Sequence, residues 1–247
     1  QLEVYRGPQA TLFGSGALAG AVKLSSTPVG SEGADYVELR AGNKDSYRVE
    51  VATGDDINQD WGYRVALMHN RSDGFVENTV VNSNGIEQKR DDTNNLDETA
   101  ARISIAVNID ERSTLALTYR WYDIDNGYDA FSLDNNNQTL SDEPGFDTHQ
   151  THAVSAKSTT STNGGDFILI ATHASHNIGY GYDEDWTYEG FHPFGYTSFD
   201  AYFRDVDTQT AEVRFVSSDN AALFDGATAW TLGAFYKTIE EDLLRQY

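Results

Sequence analysis

Two pairs of histidines have a spacing that can serve chemistry: His149 with His152, and His173 with His176. Imidazole nitrogens are common ligands for zinc and other transition metals. Side chains three positions apart in a strand point to opposite faces, so neither pair can close on one ion without a bend. These histidines are therefore interpreted as satisfied or exposed side chains at strand ends, and no metal site is predicted from them.

An acidic segment, Asp123-x-Asp125-Asn126-Gly127-x-Asp129, places oxygen ligands at alternate positions around a glycine, as calcium loops do. It lacks the bidentate glutamate that closes an EF-hand loop. A solvated acidic loop is the simpler interpretation, and calcium binding is kept as the alternative.

The segment Gly14-x-Gly16-x-x-Ala19 satisfies the dinucleotide fingerprint G-x-G-x-x-G/A. That fingerprint needs a strand before it and a helix after it. Here residues 21–24 continue as a strand-like segment and no helical period follows, so a nucleotide site is set aside. The glycines are predicted to permit tight turns and close approach of backbones.

Aromatic residues form a further group, because exposed rings often contact ligands. Packing of the loops against each other explains the same group equally well. The candidate ligand-facing residues, all expected in long loops, are Tyr128, Phe131, Trp186, Tyr188 and His192. Phe146, Phe191 and Phe194 lie in the same predicted loops. Seven acidic residues and no Lys or Arg lie between Trp121 and Ala156, so this loop should repel anions; a solvated outer surface explains the same charges.

Composition excludes several classes of protein. The net charge of −22, from 17 basic and 39 acidic residues, argues against a nucleic-acid partner. There is no cysteine, and no Ser/His/Asp or Cys/His arrangement stands out, so no enzyme and no cofactor are predicted. No run approaches the ~18 apolar residues of a membrane-spanning helix.

Strands must position these residues, because apolar and polar residues alternate with a period of two beyond residue 33. About nine strands are predicted, without a helix between them. The clearest segments are 37–41, 47–51, 61–67, 101–107, 115–121, 211–215 and 230–236, with weaker ones near 151–159 and 166–175.

The connections between these strands alternate in length. Those at 53–60, 109–113, 160–165 and 217–228 are short or moderate, and those at 70–95, 124–150 and 177–208 are long, polar and acidic. An outer-membrane barrel has short turns at one rim and long loops at the other. The pattern therefore predicts an all-β protein, an antiparallel transmembrane β-barrel.

The polar side of the predicted strands carries six arginines: Arg40, Arg48, Arg64, Arg102, Arg120 and Arg214. Unpaired, they would be prohibitive in a sandwich core, but the wall of a wide barrel facing water or a polar plug tolerates them. The solvent side of an open sheet is the alternative. Aromatic residues near strand ends, expected at the membrane interfaces, are Tyr36, Trp61, Tyr63, Trp121, Tyr122 and Trp230.

The N-terminal segment resembles the closing segment of the plug domain of TonB-dependent outer-membrane receptors, where this motif precedes the first barrel strand. The resemblance rests on Leu2-Glu3-Val4-Tyr5-Arg6-Gly7-Pro8, followed by Leu12-Phe13-Gly14, Ala17, Gly20 and Val22. Its plug–barrel motif residues are Arg6, Gly7, Pro8, Gly14 and Gly20. The family often has Gly-Gly where this chain has Ala19-Gly20, and Asn where it has Lys23.

The resemblance implies that residues 1–30 are the C-terminal end of a plug and 31–247 the N-terminal part of a barrel of about 22 strands. The expected location is the outer membrane of a Gram-negative bacterium, with the first strand running outward. Arg6 matches a plug arginine that contacts barrel-wall glutamates in the family. Those glutamates are expected on strands outside this piece.

The implied function is active uptake of a scarce nutrient, most often a ferric siderophore or other iron complex. The implied partners are TonB, through an N-terminal box absent from this piece, outer-membrane lipid and the small nutrient ligand. Cobalamin or oligosaccharides use the same mechanism in other members. A passive porin-like or adhesive barrel and a soluble carbohydrate-binding β-protein are the alternatives.

Overall fold

The computed structural model describes residues 2–8, 17–30, 35–82, 84–224, 226 and 228–247. The described residues contain no α-helix, only a short 3₁₀ turn at Asp219–Ala221. None of their helices is long and apolar enough to cross a membrane. The strands are β1 (Leu2–Arg6), β2 (Gly20–Leu24), β3 (Tyr36–Ala41), β4 (Tyr47–Asp56), β5 (Trp61–Ser72), β6 (Glu77–Val81), β7 (Glu87–Arg90), β8 (Leu96–Asn108), β9 (Ser113–Tyr128), β10 (Gln138–Thr139), β11 (Gly145–Thr162), β12 (Gly165–Asp183), β13 (Phe199–Ser217) and β14 (Thr231–Gln246).

Nine of these strands form one antiparallel sheet, which confirms the predicted number and the all-β class. They lie in the order β3-β4-β5-β8-β9-β11-β12-β13-β14, so each long strand pairs with the next one along the chain. One rim carries the connections 57–60, 109–112, 163–164 and 218–230, and the other carries 42–46, 73–95, 129–144 and 184–198. The predicted alternation of short and long connections is therefore confirmed.

The predicted extents of two long loops, 124–150 and 177–208, were wrong. Strands β9, β11, β12 and β13 extend into both segments, and the loops are confined to 129–144 and 184–198. These outer strand halves carry many polar residues on both faces, so the alternation of apolar and polar residues is weaker there. The loop predicted at residues 123–129, whether solvated or calcium-binding, was therefore also wrong, because Asp123 and Asp125 lie within β9, opposite Gln150 and Thr148.

The register of the strands separates two faces. Arg40 lies opposite Arg48, and Arg102 lies opposite Arg120, on the same face of the sheet. All six arginines occupy this face, as predicted, and three of them pair with a glutamate two residues away on their own strand. Those pairs are Arg40 with Glu38, Arg48 with Glu50 and Arg214 with Glu212.

The N-terminal segment lies against the arginine face, which identifies it as the inner face. Arg102 donates a hydrogen bond from Nη2 to the carbonyl oxygen of Thr27 at 3.4 Å. The side chain of Val29 lies so close to Gly62 that a Cβ added there would be 2.9 Å from it. Residues before the sheet thus return across its inner wall.

The outer face carries an apolar band beside the short turns. Large apolar side chains are exposed there, for instance Leu39 at 72% and Leu232 at 70%. Toward the long loops this face becomes more polar: His69, His152 and His173 lie next beyond Leu67, Val154 and Ala171 on β5, β11 and β12. The band therefore covers about half of each long strand.

The predicted girdle aromatics divide between the two faces. Trp61, Tyr63 and Trp121 lie on the outer face, and Trp230 stacks on outer-face Phe215 at 5.4 Å between ring centroids. The prediction was wrong for the other two, because the register puts them on the inner face. Tyr36 bonds Glu50 there, and Tyr122 lies opposite Thr151.

Candidate ligand-binding site

Six aromatic rings meet at the outer end of the inner face. Tyr128 and Tyr180 are 4.8 Å apart between ring centroids, Tyr180 and Tyr182 are 5.7 Å apart, and Tyr180 and Tyr202 are 6.5 Å apart. Loop residue Phe131 approaches Tyr128 at 5.8 Å and Tyr182 at 5.7 Å. We call this group the aromatic cluster; its members are Tyr128, Phe131, Tyr180, Tyr182, Trp186 and Tyr202.

Strand geometry brings the tyrosines together. Tyr180 and Tyr182 are two apart on β12, so they share a face, and the register places Tyr202 of β13 directly opposite Tyr180. Offset-stacked and edge-to-face ring pairs at these distances add to the stabilisation from burial. Four of the six rings, those of the tyrosines, are thus held by strands of the sheet.

The indole of Trp186 is positioned by the chain just before it. Asp183 Oδ1 accepts hydrogen bonds from the backbone N–H groups of Asp185 at 3.1 Å and Trp186 at 3.0 Å. These bonds hold Trp186 in the left-handed region at φ +62°, which side chains seldom adopt. In this conformation the indole stacks on Phe131, with a centroid distance of 5.1 Å and an interplanar angle of 5°.

A cation lies beside the rings. Arg245 donates two hydrogen bonds to the buried carboxylate of Asp200, at 2.9 Å and 2.7 Å, and its guanidinium lies 5.1 Å from the centre of the Tyr202 ring. Hydrogen bonding to Arg245 holds the pKa of Asp200 below its usual range. Burial raises the pKa of Tyr180 and Tyr182. The cluster therefore offers neutral phenols, ring faces and one guanidinium.

The structure brings together three of the five candidate ligand-facing residues. Tyr128, Phe131 and Trp186 belong to the aromatic cluster, although Tyr128 ends a strand and was expected in a loop. Tyr188 and His192 lie apart from them, each in contact with Phe191, at 5.5 and 5.0 Å between ring centroids.

Phe146 was also placed wrongly, since it belongs to β11. Its ring packs near Phe199 and Phe203 on the outer face. The sequence reasoning missed Tyr180, Tyr182, Tyr202, Asp200 and Arg245. The spacing of Tyr180 and Tyr182 is a strand signal that would have found two of them.

The four histidines lie inside strands, and the expectation that they end strands was wrong. Within each pair the two side chains lie on opposite faces, as predicted. Register instead joins His149 to His176 across two strands, with Nε2 and Nδ1 3.2 Å apart and the Thr151 hydroxyl 2.9 Å from both. Burial lowers the pKa of His149.

A cavity of about 230 Å³ adjoins the aromatic cluster on the inner side. It is lined by residues that include Phe75, Leu96, Asn126, Tyr128 and Asp147. A larger cavity, about 510 Å³, lies in the apolar band, among residues such as Leu115, Leu169 and Tyr236. Its lining is mostly apolar, whereas that of the cavity beside Tyr128 includes Asn126 and Asp147, so the cavity beside Tyr128 is the better candidate for a polar ligand.

The N-terminal motif forms a hairpin of β1 and β2. Gly20 lies opposite Arg6, and a Cβ at Gly20 would be 2.7 Å from the carbonyl oxygen of Tyr5, so the backbones approach too closely for a side chain. Gly7 has φ +82°, and Pro8 follows it. Lys23 bonds Glu3 at 3.2 Å. Gly14 lies outside the described residues. The strand after Ala19 agrees with setting the nucleotide site aside.

No family model matches the sequence. Among solved structures, the ferric yersiniabactin uptake receptor FyuA from Yersinia pestis is similar with a TM-score of 0.77 and 16% identity, over 99% of this chain and 36% of FyuA. The siderophore receptor PiuA from Acinetobacter baumannii gives 0.70 and 18%, over 98% and 35%. The ferripyoverdine receptor of the Pseudomonas aeruginosa outer membrane gives 0.68 and 16%, over 98% and 32%.

These structures are transport receptors, and none is described as an enzyme. The chain spans about a third of their length. At these identities the similarity is one of fold, and it includes both the N-terminal hairpin and the nine-stranded sheet because nearly all of this chain is covered. The chain therefore has the fold of outer-membrane siderophore receptors over about a third of their length.

Proposed function

We propose that this chain is part of a TonB-dependent outer-membrane receptor that takes up a ferric siderophore or another iron complex. The observation that carries the proposal is the aromatic cluster with Arg245 at the outer end of the inner wall. The shared fold supports it, since the similar structures include receptors named for ferric yersiniabactin and ferripyoverdine. No covalent chemistry is required.

The same proposal assigns residues 1–30 to the end of a plug and 31–247 to the first part of the barrel. The hairpin of β1 and β2 forms a sheet of its own, which supports a boundary near residue 30. The apolar band on the outer face supports a position in the outer membrane. The rim with long loops then faces the medium, and the N-terminal segment enters from the periplasmic side.

The chemistry of the cluster favours one class of iron complex. Flat ring faces suit a chelating group that is itself aromatic, and the guanidinium of Arg245 beside them has its charge balanced by Asp200. The loop 129–144 is acidic and has no Lys or Arg, so a highly anionic complex would be repelled. We infer a neutral or weakly charged ferric complex with an aromatic chelating group.

Binding and uptake can be measured with the whole protein in iron-starved cells and three iron-55-labelled probes: a ferric phenolate, a ferric hydroxamate and a ferric tris-catecholate. We expect the phenolate to be taken up best. Trp186→Ala and Tyr180→Ala should each weaken its binding by about tenfold, a magnitude usual for loss of one stacking partner at a central contact. Phe194→Ala is the matched control, because Phe194 is in the same loop as Trp186 and is 94% exposed.

Energy dependence separates this proposal from a passive barrel. Uptake should stop when the proton gradient is dissipated, while binding at the cell surface persists. Uptake that continues without the gradient would indicate a porin-like channel. Absence of binding by every ferric probe would contradict the proposed substrate class. Release of a chemically changed product from a probe, in proportion to the amount of protein, would point to an enzyme.

A further inference from the structure

Two external loops meet at a buried acidic group behind the aromatic cluster. Loop 129–144 contributes Ser141 and Asp142, and the end of β12 with loop 184–198 contributes Asp183, Asp185 and Thr187. We call these five residues the acidic junction. Asp142 Oδ2 accepts a hydrogen bond from the backbone N–H of Glu189 at 2.8 Å, which ties the two loops together.

The acidic junction is largely shielded from solvent although it contains three carboxylates. Asp183 is 6% exposed, Ser141 2% and Thr187 0%. Buried polar atoms in proteins almost always have hydrogen-bond partners. Here five buried oxygens have none: Ser141 Oγ, Asp142 Oδ1, Asp183 Oδ2, Asp185 Oδ2 and Thr187 Oγ1.

In each of the three carboxylates, one oxygen accepts backbone hydrogen bonds and the other has no partner. One oxygen of Asp183 and one of Asp142 is fixed by backbone N–H groups, and the second oxygen of each is buried without a partner. Asp185 follows the same rule, since its Oδ1 accepts from the backbone N–H of Thr187 at 3.2 Å. The loop backbone thus holds each side chain in place and leaves one oxygen available.

No cation of the described residues compensates this charge. None of their ion pairs includes Asp142, Asp183 or Asp185. Burial and, to a smaller extent, the neighbouring Asp185 together raise the pKa of Asp183 to about 7. Glu143, beside Asp142, has its pKa raised by burial and by Asp142 and Asp185. A buried group of carboxylates is costly unless a cation or a proton neutralises it.

We propose that the acidic junction binds a calcium ion that fastens loop 129–144 to loop 184–198. All five available atoms are oxygens, which suit calcium or magnesium and not the transition metals that prefer nitrogen and sulfur. They come from irregular loops and mix carboxylates with hydroxyls, which suits the flexible coordination of calcium better than the strict octahedron of magnesium. This is a different place from residues 123–129.

Binding requires a small movement. Within the described part of the chain, no three Asp, Glu, His or Cys side chains already meet at one point as metal ligands. The ion is therefore expected to draw Asp142 toward Asp183 and Asp185. The affinity expected for such an extracellular site is on the order of 10⁻⁴–10⁻³ M.

The proposed calcium ion would also be linked to the aromatic cluster through Asp183. Asp183 binds through Oδ2 in this scheme, while its Oδ1 holds the backbone of Trp186, whose indole stacks on Phe131. The site stands on the loop oxygens alone and does not depend on which ligand the receptor takes. Failure of the iron-uptake experiment would leave it unaffected.

Terbium(III) is a suitable probe, because it occupies calcium sites and luminesces when a nearby indole is excited, and Trp186 is adjacent. In the whole protein in detergent, terbium luminescence should saturate and be displaced by calcium. The double variant Asp183→Asn with Asp185→Asn should weaken terbium binding at least tenfold. Asp134→Asn is the matched control, since Asp134 is an exposed acid of loop 129–144.

A second measurement covers the case in which the double variant does not fold. Hydrogen exchange of the wild-type protein should slow in residues 184–198 on addition of millimolar calcium, and slow less with magnesium. The proposal is overturned if calcium changes neither loop's exchange, or if Asp134→Asn loses as much terbium binding as the double variant. Trp186→Phe should abolish the luminescence and keep the calcium-dependent protection.

Discussion

The two halves of the nine-stranded sheet have the same antiparallel backbone pairing but differ in the polarity of the side chains on their two faces. Beside the short turns, most outer-face residues are apolar and most inner-face residues are polar or small, as in Leu117 against Thr118. Beside the long loops, both faces carry polar residues, as in Asn177 against His176, together with aromatic rings. The pairing of β12 with β13 runs without interruption from Gly165 to Asp183. The backbone pairing of β12 is thus continuous over its whole length, whereas the alternation of apolar and polar side chains is not.

This difference shows that two separate forces hold the sheet. In the half beside the short turns, which the proposed function places in the membrane and which we call the membrane half, most outer-face residues are apolar, so the alternation of apolar and polar residues is pronounced. In the other half, stability comes from backbone pairing and a few specific contacts. Thr93 and Thr139 both donate to the buried carboxylate of Asp129 at 2.8 Å, which joins two loops. Substitutions should therefore act globally in the first half and locally in the second.

The largest effect is expected for a charge in the apolar band. Leu169→Arg puts a cation on the outer face of a central strand, which costs about 2–4 kcal/mol near the bilayer midplane. The free energy of unfolding in lipid bilayers, from urea titration, measures it. Ser155→Arg is the matched control, because Ser155 lies on the inner face of the neighbouring strand. Equal losses in both variants would contradict the assignment of the two faces.

A smaller and more local effect is expected for Gly145→Ala at the outer end of β11. A Cβ there would lie 2.0 Å from the carbonyl oxygen of Gly181 and 2.5 Å from that of Tyr128, so the strands must separate. Overpacking of this kind costs roughly 1–3 kcal/mol. Limited proteolysis should become faster in loop 129–144 while unfolding of the membrane half is unchanged.

The control for that variant is Gly164→Ala in the short turn. The nearest atom to a Cβ there is Phe215 Cζ at 3.7 Å, an ordinary contact. Proteolysis of loop 129–144 should stay at the wild-type rate. If Gly145→Ala lowered the stability of the whole sheet as much as Leu169→Arg does, the two halves would form one cooperative unit and the comparison would fail.

The membrane half could be predicted from the sequence because its pattern depends only on residues that are neighbours along the chain. Alternation at residues such as Val65 and Leu67 reports the pleat directly, and the arginines then fall on the opposite side. The number of strands and the alternation of connections follow from the same pattern. None of these conclusions needs to know which residue lies opposite which.

The candidate site could not be predicted as far, because it depends on register. Tyr180 meets Tyr202 only through the pairing of β12 with β13, and His149 meets His176 only through that of β11 with β12. The orientation of Trp186 depends on the hydrogen bond that its backbone N–H donates to Asp183 and on its own left-handed backbone conformation. Such contacts leave no periodic signal in the sequence.

The most local prediction concerns pH and the loops. The pKa of Asp183 is raised from an ordinary value of 3.8 to about 7, chiefly by burial. Between these values the folded loop holds a proton that the unfolded loop has lost. This stabilisation is complete below about pH 4 and is lost as the pH rises through about 7. With a chelator present, hydrogen exchange in residues 184–198, corrected for intrinsic rates, should accelerate at least roughly tenfold across that window.

Asp183→Asn should remove this pH dependence, because an amide cannot titrate and its oxygen still accepts the backbone N–H of Trp186. The membrane half should show no comparable change, since the protonation event is confined to the acidic junction. Added calcium should shift the transition to lower pH by competing with the proton for the same carboxylate. If the pH dependence of hydrogen exchange survives in Asp183→Asn, the proton belongs to another group, such as Glu143. The uncompensated charge would then lie at the solvent-exposed edge of the acidic junction. Calcium would bind too weakly there to fasten the loops.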